Sequence, residues 1–414
     1  MASPILLTEA VARRFLLGTQ GLWPSRRWVG RDGAAAAMQA LGRLQLDPVS
    51  LVARSHDLVL MSRVSGYHPD HLSALAYGER LFFEYGGHLD LYPRAEYPYW
   101  ELHKMRRRSD PRVRAFLAEY AELADEVRAL VRDRGPLAAG DIPSDMVAGT
   151  ATAKVTSGRA RTAGGLALYH LWLTGDLMTH HREGFERVYD LAERIAPQIH
   201  ETPPEASVRA HAAAEVLRRE GLPTLGEWSA GVSYMLFANM PRKDAAAWMA
   251  DLVALGLAVP VRVDGHKVER FVHADLVPLL ESLVQGHVPQ AWDIPGDARA
   301  EAVFLSPLDN LLAARARVLD LFGFQYLWEI YKPADQRRYG AYTMPILYQD
   351  RLVGRMDPKM DRAAGVLTIQ GLWIEEAGLR QDPAFQKALQ RGLERFAQFH
   401  GARETVQPPG FASA

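Results

Sequence analysis

Apolar residues recur at helical spacing over residues 8–17, with Thr8 placed to cap the first turn. Residues 34–44 predict a second, alanine-rich helix with Asp32 ahead of it. From Leu44 to Val49 the helical period breaks, and over residues 54–63 it resumes. Two aromatic, β-favouring runs follow at 81–85 and 88–92, separated by Gly86-Gly87. Helices followed by a hairpin are the order of a winged helix.

That order recurs twice. Residues 111–134 read as a charged amphipathic helix, Gly135-Pro136-Leu137 as a turn, and residues 140–143 as the opening of a short second helix. An apolar helix at 166–174, closed by Gly175, leads to a hairpin of 176–181 and 185–189 around Glu183-Gly184. The third copy has a helix at 206–220, another starting over 224–228 and another at 243–255. Its strands, 258–263 and 267–272, meet across Asp264-Gly265, a strong hairpin signal. A polar linker at 293–299 precedes alternating runs at 326–331, 342–348, 351–356 and 364–369, which predict a small sheet or barrel. A helix at 387–400 and a Pro/Gly/Ala-rich tail end the chain.

The expected fold is therefore α+β, mainly α with β: three tandem winged-helix motifs and a C-terminal small β-barrel. The expected divisions are 1–105, 106–200, 201–292 and 293–405, with a tail at 406–414. A helix and a hairpin presented together suit DNA, although winged helices also dock proteins. The alternative to an enzyme is a winged-helix transcriptional regulator without chemistry.

Composition narrows this picture. The 414 residues are 48% hydrophobic and 23% charged, as in ordinary globular proteins. No apolar run is long enough for a membrane helix, and no secretory signal is evident, so the cytoplasm, with the nucleoid, is the expected location. The absence of cysteine excludes disulfides, thiol nucleophiles and Cys-ligated metals. The net charge of −1 speaks against a protein that coats nucleic acid by bulk charge. Local basic clusters remain: residues 104–108, Arg159 with Arg161, and Arg337 with Arg338. Each also reads as a solvated helix face. His180-His181 has the look of a metal pair, but neighbours on a strand face opposite ways, so no metal is expected. No phosphate-binding glycine loop is present, and no cofactor is expected.

Four stretches, in order, resemble the YcaQ-like (AlkX/AlkZ) DNA glycosylases. They are Leu44-Gln45-Leu46-Asp47-Pro48-Val49 running into residues 52–63; Gly175-Asp176-Leu177-Met178 with residues 182–191; Leu305-Ser306-Pro307-Leu308-Asp309 with residues 321–324 and 338–342; and residues 350–357. The resemblance implies three winged helices in a C-shape closed by a β-barrel. It also implies metal-free hydrolysis of the N-glycosidic bond of alkylated purines, especially N7-alkylguanine, and unhooking of interstrand crosslinks. Double-stranded DNA would be the partner and the protein a monomer. The family's signature is Gln-apolar-Gln or Gln-apolar-Asp; Gln45-Leu46-Asp47 matches the second. The chain departs from the family at Gly86-Gly87 and Ala313-Ala314.

The triplet has two local readings. Asp47-Pro48 is a standard helix start, with Asp as N-cap and Pro at the first helical position. Proline also pushes the residue before it towards extended geometry, which would place Gln45 and Asp47 on one side and Leu46 in the core. The resemblance implies that Gln45 and Asp47 are catalytic. Candidate DNA contacts are Arg54, His56, Arg63, His88, Arg106, Arg107, Arg159, Arg161, Arg337 and Arg338. Glu84 is a candidate helper carboxylate, and Asp309 and Asp357 read as turn caps.

Overall fold

The computed structural model describes residues 3–143, 146, 153–154, 160–197, 202–294, 301–376 and 378–408. The chain is α+β and divides into two compact units. The first gathers residues 1–72, 214–229 and 241–414; the second gathers 73–213 and 230–240.

In the first unit, helix Glu9–Thr19 begins at Thr8, whose hydroxyl accepts the Val11 N–H at 3.3 Å. It buries Ala12, Phe15, Leu16 and Leu17 in a core shared with Val261, Leu280, Leu311, Val318 and Leu347. Strand Ile5–Leu7 runs parallel to Ala258–Val263, which pairs antiparallel with Arg270–His273. Helix Gly30–Leu41 starts earlier than its alanine run suggests and stops at left-handed Gly42. Helix Ser55–Met61 is buried along its whole length.

The C-terminal part of this unit is a curled five-stranded sheet. Val303–Phe304, Met344–Tyr348, Arg351–Asp361 and Val366–Ile374 pair antiparallel in that order, and Glu404–Val406 adds a parallel edge. Irregularities at Ile346/Leu347 and Asp357/Pro358 bend it, as bulges do. Helix Pro383–Phe399 packs its apolar face on it, with Gly392 so close to the Ala302 carbonyl that a Cβ would lie 2.3 Å away. The expected strand at 326–331 is not formed. Residues 323–329 have no regular structure; the Gln325 carbonyl accepts from Arg355 at 3.2 Å, and the Glu329 side chain accepts the N–H groups of Arg338 and Tyr339.

In the second unit, strands Phe82–Tyr85 and Asp90–Pro93 form the hairpin expected at Gly86-Gly87, with a turn two residues longer than the sequence suggests. The predicted helix at 111–134 is two helices, Pro111–Glu119 and Ala121–Arg134, broken at Tyr120. Helix Ala163–Thr174 ends at left-handed Gly175 and leads to hairpin Leu177–Glu183 with Glu186–Leu191. Most of the expected linker at 293–299, and Arg159, lie outside the described residues.

Candidate active site

Leu44–Gln45 is a short strand, and residues 46–50 continue without helix. Leu44 and Leu46 are 1% and 3% exposed, whereas Gln45 and Asp47 are half-buried. The alternation is that of an extended chain with one apolar and one polar side. Asp47 caps no helix: the next one, Ser55–Met61, has Arg54 at its N-cap position. Asp47 Oδ1 instead accepts the Val49 N–H at 2.8 Å, closing a turn over Pro48.

Long-range contacts fix both ends of this segment. Asn310 Nδ2 donates to the Arg43 carbonyl at 3.0 Å. Arg362 donates to the Val52 carbonyl at 2.6 Å and to Ser50 Oγ at 3.1 Å. Ser55 and Ser306 share a buried hydrogen bond of 2.6 Å, and the Tyr342 hydroxyl reaches the Ala53 carbonyl at 3.5 Å. The catalytic candidates thus sit on a loop braced by residues more than two hundred positions away.

Three carboxylates act on Tyr342. Its N–H donates to Asp357 Oδ1 at 3.0 Å, and the charges of Asp47 and Asp57 both reach its ring. Burial pushes the Tyr342 hydroxyl up, and Asp47 adds to that. Burial likewise pushes the Asp47 carboxyl above the usual range, with only the Val49 N–H pulling it back. Asp57 is raised by burial against the Tyr67 hydroxyl, which donates to it at 2.8 Å, and against the charge of Arg54. Asp357 is raised by burial against the Tyr342 N–H and the charge of Arg337. Asp57 and Asp357 are buried, and Asp47 is the half-buried one of the three, a partly desolvated carboxylate suited to a positive charge. Among the described residues, no group of His, Cys, Asp and Glu is arranged to hold a metal ion.

Several sequence expectations need correcting. Arg63 is no DNA contact: its guanidinium is fully buried and grips Asp309 through bonds of 2.7 and 2.8 Å. Asp309 does cap helix Asn310–Ala313. His56 is buried at 5% exposure beside Asp57, so it presents little to DNA, while Arg54 is half-buried. Asp357 caps no turn; it lies in strand Arg351–Asp361 at the bulge. Gly340, at φ +120°, makes room for it, since a Cβ there would lie 1.9 Å from Asp357 Oδ2. Arg337 is tied to the Lys332 and Ile330 carbonyls, and Arg338 is exposed.

In the second unit, Glu84 is not a free helper carboxylate. Its side chain is wholly buried, with Arg182 at 2.6 Å and Arg187 against the same oxygen. Burial alone would raise its carboxyl, but Arg187 and Arg182 outweigh it and hold it low. His88 is exposed, with its ring stacked 5.0 Å from that of Tyr234. Arg106 bonds the Leu236 carbonyl and Glu205, and Arg107 lies over Phe237. Lys104, in the same basic block, is buried against Tyr97 and Glu101; burial lowers its ammonium to about 8 against the pull of Glu101. An irregularity between Thr179 and His181 turns both His180 and His181 to one side, with their Nδ1 atoms 2.8 Å apart. Strand alternation alone does not foresee this. Arg161 lies in strand Ala160–Arg161.

The AlkZ-like DNA glycosylase family model matches residues 38–399, which include the triplet, Asp57, Ser306, Tyr342 and Asp357. The structure of the Streptomyces sahachiroi DNA glycosylase AlkZ aligns over 98% of this chain and 100% of its own, at 16% identity with a TM-score of 0.60. That likeness speaks for the fold, and the family match for the chemistry. No helix among the described residues is long and apolar enough to cross a membrane. The chain belongs to the AlkZ-like DNA glycosylase family and is a hydrolase of N-glycosyl bonds in DNA.

Proposed function

We propose that this glycosylase acts on N7-alkylated guanine in duplex DNA and unhooks interstrand crosslinks made through that atom, with Asp47 and Gln45 as its catalytic residues. The observation that carries the proposal is the extended segment at 44–47. It sets Gln45 and Asp47 side by side, half-buried, over a leucine backing.

An alkylated N7 makes guanine a cation, so the base departs with the C1′–N9 electron pair and needs no acid. The sugar becomes oxocarbenium-like. The Asp47 carboxylate, partly desolvated, stabilises that charge and then takes a proton from the attacking water. The Gln45 amide donates to and accepts from the same water. Oxygen bonds to C1′, the proton passes to Asp47, and the products are an abasic site and free alkylguanine. Pro48 and Ser50 are exposed beside Asp47, which supports an open site able to accept a base still joined to the opposite strand. Phosphate contacts from arginine and lysine would position the duplex.

The test is excision from duplexes carrying N7-methylguanine or a nitrogen-mustard crosslink, in EDTA, scored as abasic sites. Wild type should release the base without metal, and Asp47→Asn should lose most of that activity. Full activity in Asp47→Asn removes this residue from the mechanism. Release of methylguanine but no crosslink cleavage confines the enzyme to single-strand adducts.

A further inference from the structure

Tyr331 is 83% exposed, more than any other large apolar side chain among the described residues. An aromatic ring left in water on a mobile loop would mean little, but this loop is stitched down. Buried Glu329 accepts the N–H groups of Arg338 and Tyr339, both at 2.9 Å, and the Lys332 ammonium at 2.7 Å. Arg337 donates to the Lys332 carbonyl at 2.9 Å and the Ile330 carbonyl at 3.2 Å. Trp328 Nε1 donates to the Ala341 carbonyl at 3.1 Å. The ring is therefore presented to solvent by a fixed backbone, as in a preorganised binding surface.

Its position ties it to the site. Tyr331 meets Trp328 edge-on at 5.8 Å, and Trp328 meets Tyr342 edge-on at 5.9 Å. The Tyr342 hydroxyl in turn reaches the Ala53 carbonyl at 3.5 Å, on the segment that follows Asp47. An aromatic ladder thus runs from open solvent to the segment that carries the catalytic candidate, with the exposed Arg338 and the half-buried Lys332 on the same loop as Tyr331.

We propose that Tyr331 is a DNA-stacking residue at the rim of the active site, packing its ring on a base exposed beside the lesion while Arg338 neutralises a neighbouring phosphate. The proposal rests on the assignment of Asp47 as the catalytic carboxylate. Stacking on an aromatic side chain tolerates any base, which suits an enzyme guided by damage rather than by sequence.

The test is fluorescence anisotropy with a duplex containing a stable abasic-site analogue, over a salt series. Tyr331→Ala should weaken binding roughly 5- to 150-fold, the range for loss of one base stack, with the salt slope unchanged. Tyr331→Phe should bind as wild type. Arg338→Ala should reduce the slope of log K against log salt by about one. Asp47→Asn should bind normally, so a failure of the catalytic assignment reads separately, as retained excision. Both loop side chains project into solvent, so urea midpoints should stay at the wild-type value. Wild-type affinity in Tyr331→Ala, or an equal loss in Tyr331→Phe, overturns the proposal.

Discussion

Four aspartates in this chain precede a proline, and they divide into two pairs. Asp110 and Asp382 begin helices Pro111–Glu119 and Pro383–Phe399 and accept the N–H two residues on, at 2.9 and 2.8 Å. Asp47 makes the same local bond, to Val49 at 2.8 Å, yet no helix follows. Asp357 accepts instead from Tyr342, fifteen residues away in sequence. The local turn is common to three of the four and does not tell a cap from a catalytic group. The continuation does. After Asp47 the chain is held out of helix by Arg362, Tyr342 and Ser306, and its half-buried carboxylate serves no helix dipole.

The sharpest way to break this comparison is Asp47→Asn. Excision should fall roughly 10²- to 10⁴-fold, the usual contribution of a positioned proton acceptor, measured by single-turnover release. The amide can keep the Val49 bond and sheds a buried charge, so the urea midpoint should not fall. Glu84→Gln is the opposite case, since it leaves two guanidinium groups uncompensated in the second unit. It should cost about 3–5 kcal/mol in stability by urea titration, with excision per folded molecule retained.

The pH dependence follows from the same contrast. Asp47 is raised in the folded state, so between its unfolded and folded values the protonated form is favoured by folding. Stability from this group is present at low pH and is lost as pH rises through the folded value. Excision, which needs the carboxylate, should rise over the same interval, and its acid limb should lie above the ordinary aspartate range. Glu84 is depressed, so its stabilisation is present above the ordinary glutamate range and is lost as pH falls through its folded value. A pH–rate profile alongside urea midpoints separates the two. An acid limb at the ordinary aspartate value would contradict the desolvated site. The smallest effect belongs to Asp382→Ala, which should cost about 1 kcal/mol as a lost cap and leave excision unchanged.

Much of the fold could be read locally. Thr8, Gly175 and the Thr224–Glu227 capping box mark helix ends through bonds within a few residues. The Asp264-Gly265 turn marks its hairpin in the same way. Misreadings occurred where a distant partner decides. Arg63 resembles a DNA contact until Asp309 meets it, and Glu84 resembles a helper acid until Arg182 and Arg187 do. The run at 326–331 is rich enough in aromatics to suggest a strand, but Glu329 ties the following backbone into a loop.

Residue order alone therefore settles most of the helices, the hairpin turns and the family, and leaves the triplet between a helix start and an extended run. These depend on backbone preferences and side-chain periods that act over a few positions. Tertiary structure decides which charges are neutralised and which are left to act. It bonds Tyr342 to Asp357, brings the charges of Asp47 and Asp57 to bear on it, and places the exposed Tyr331 two rings away. Burial and Coulomb interactions depend on separation in space, and these groups come from a helix, a strand and loops spread over roughly three hundred residues of sequence.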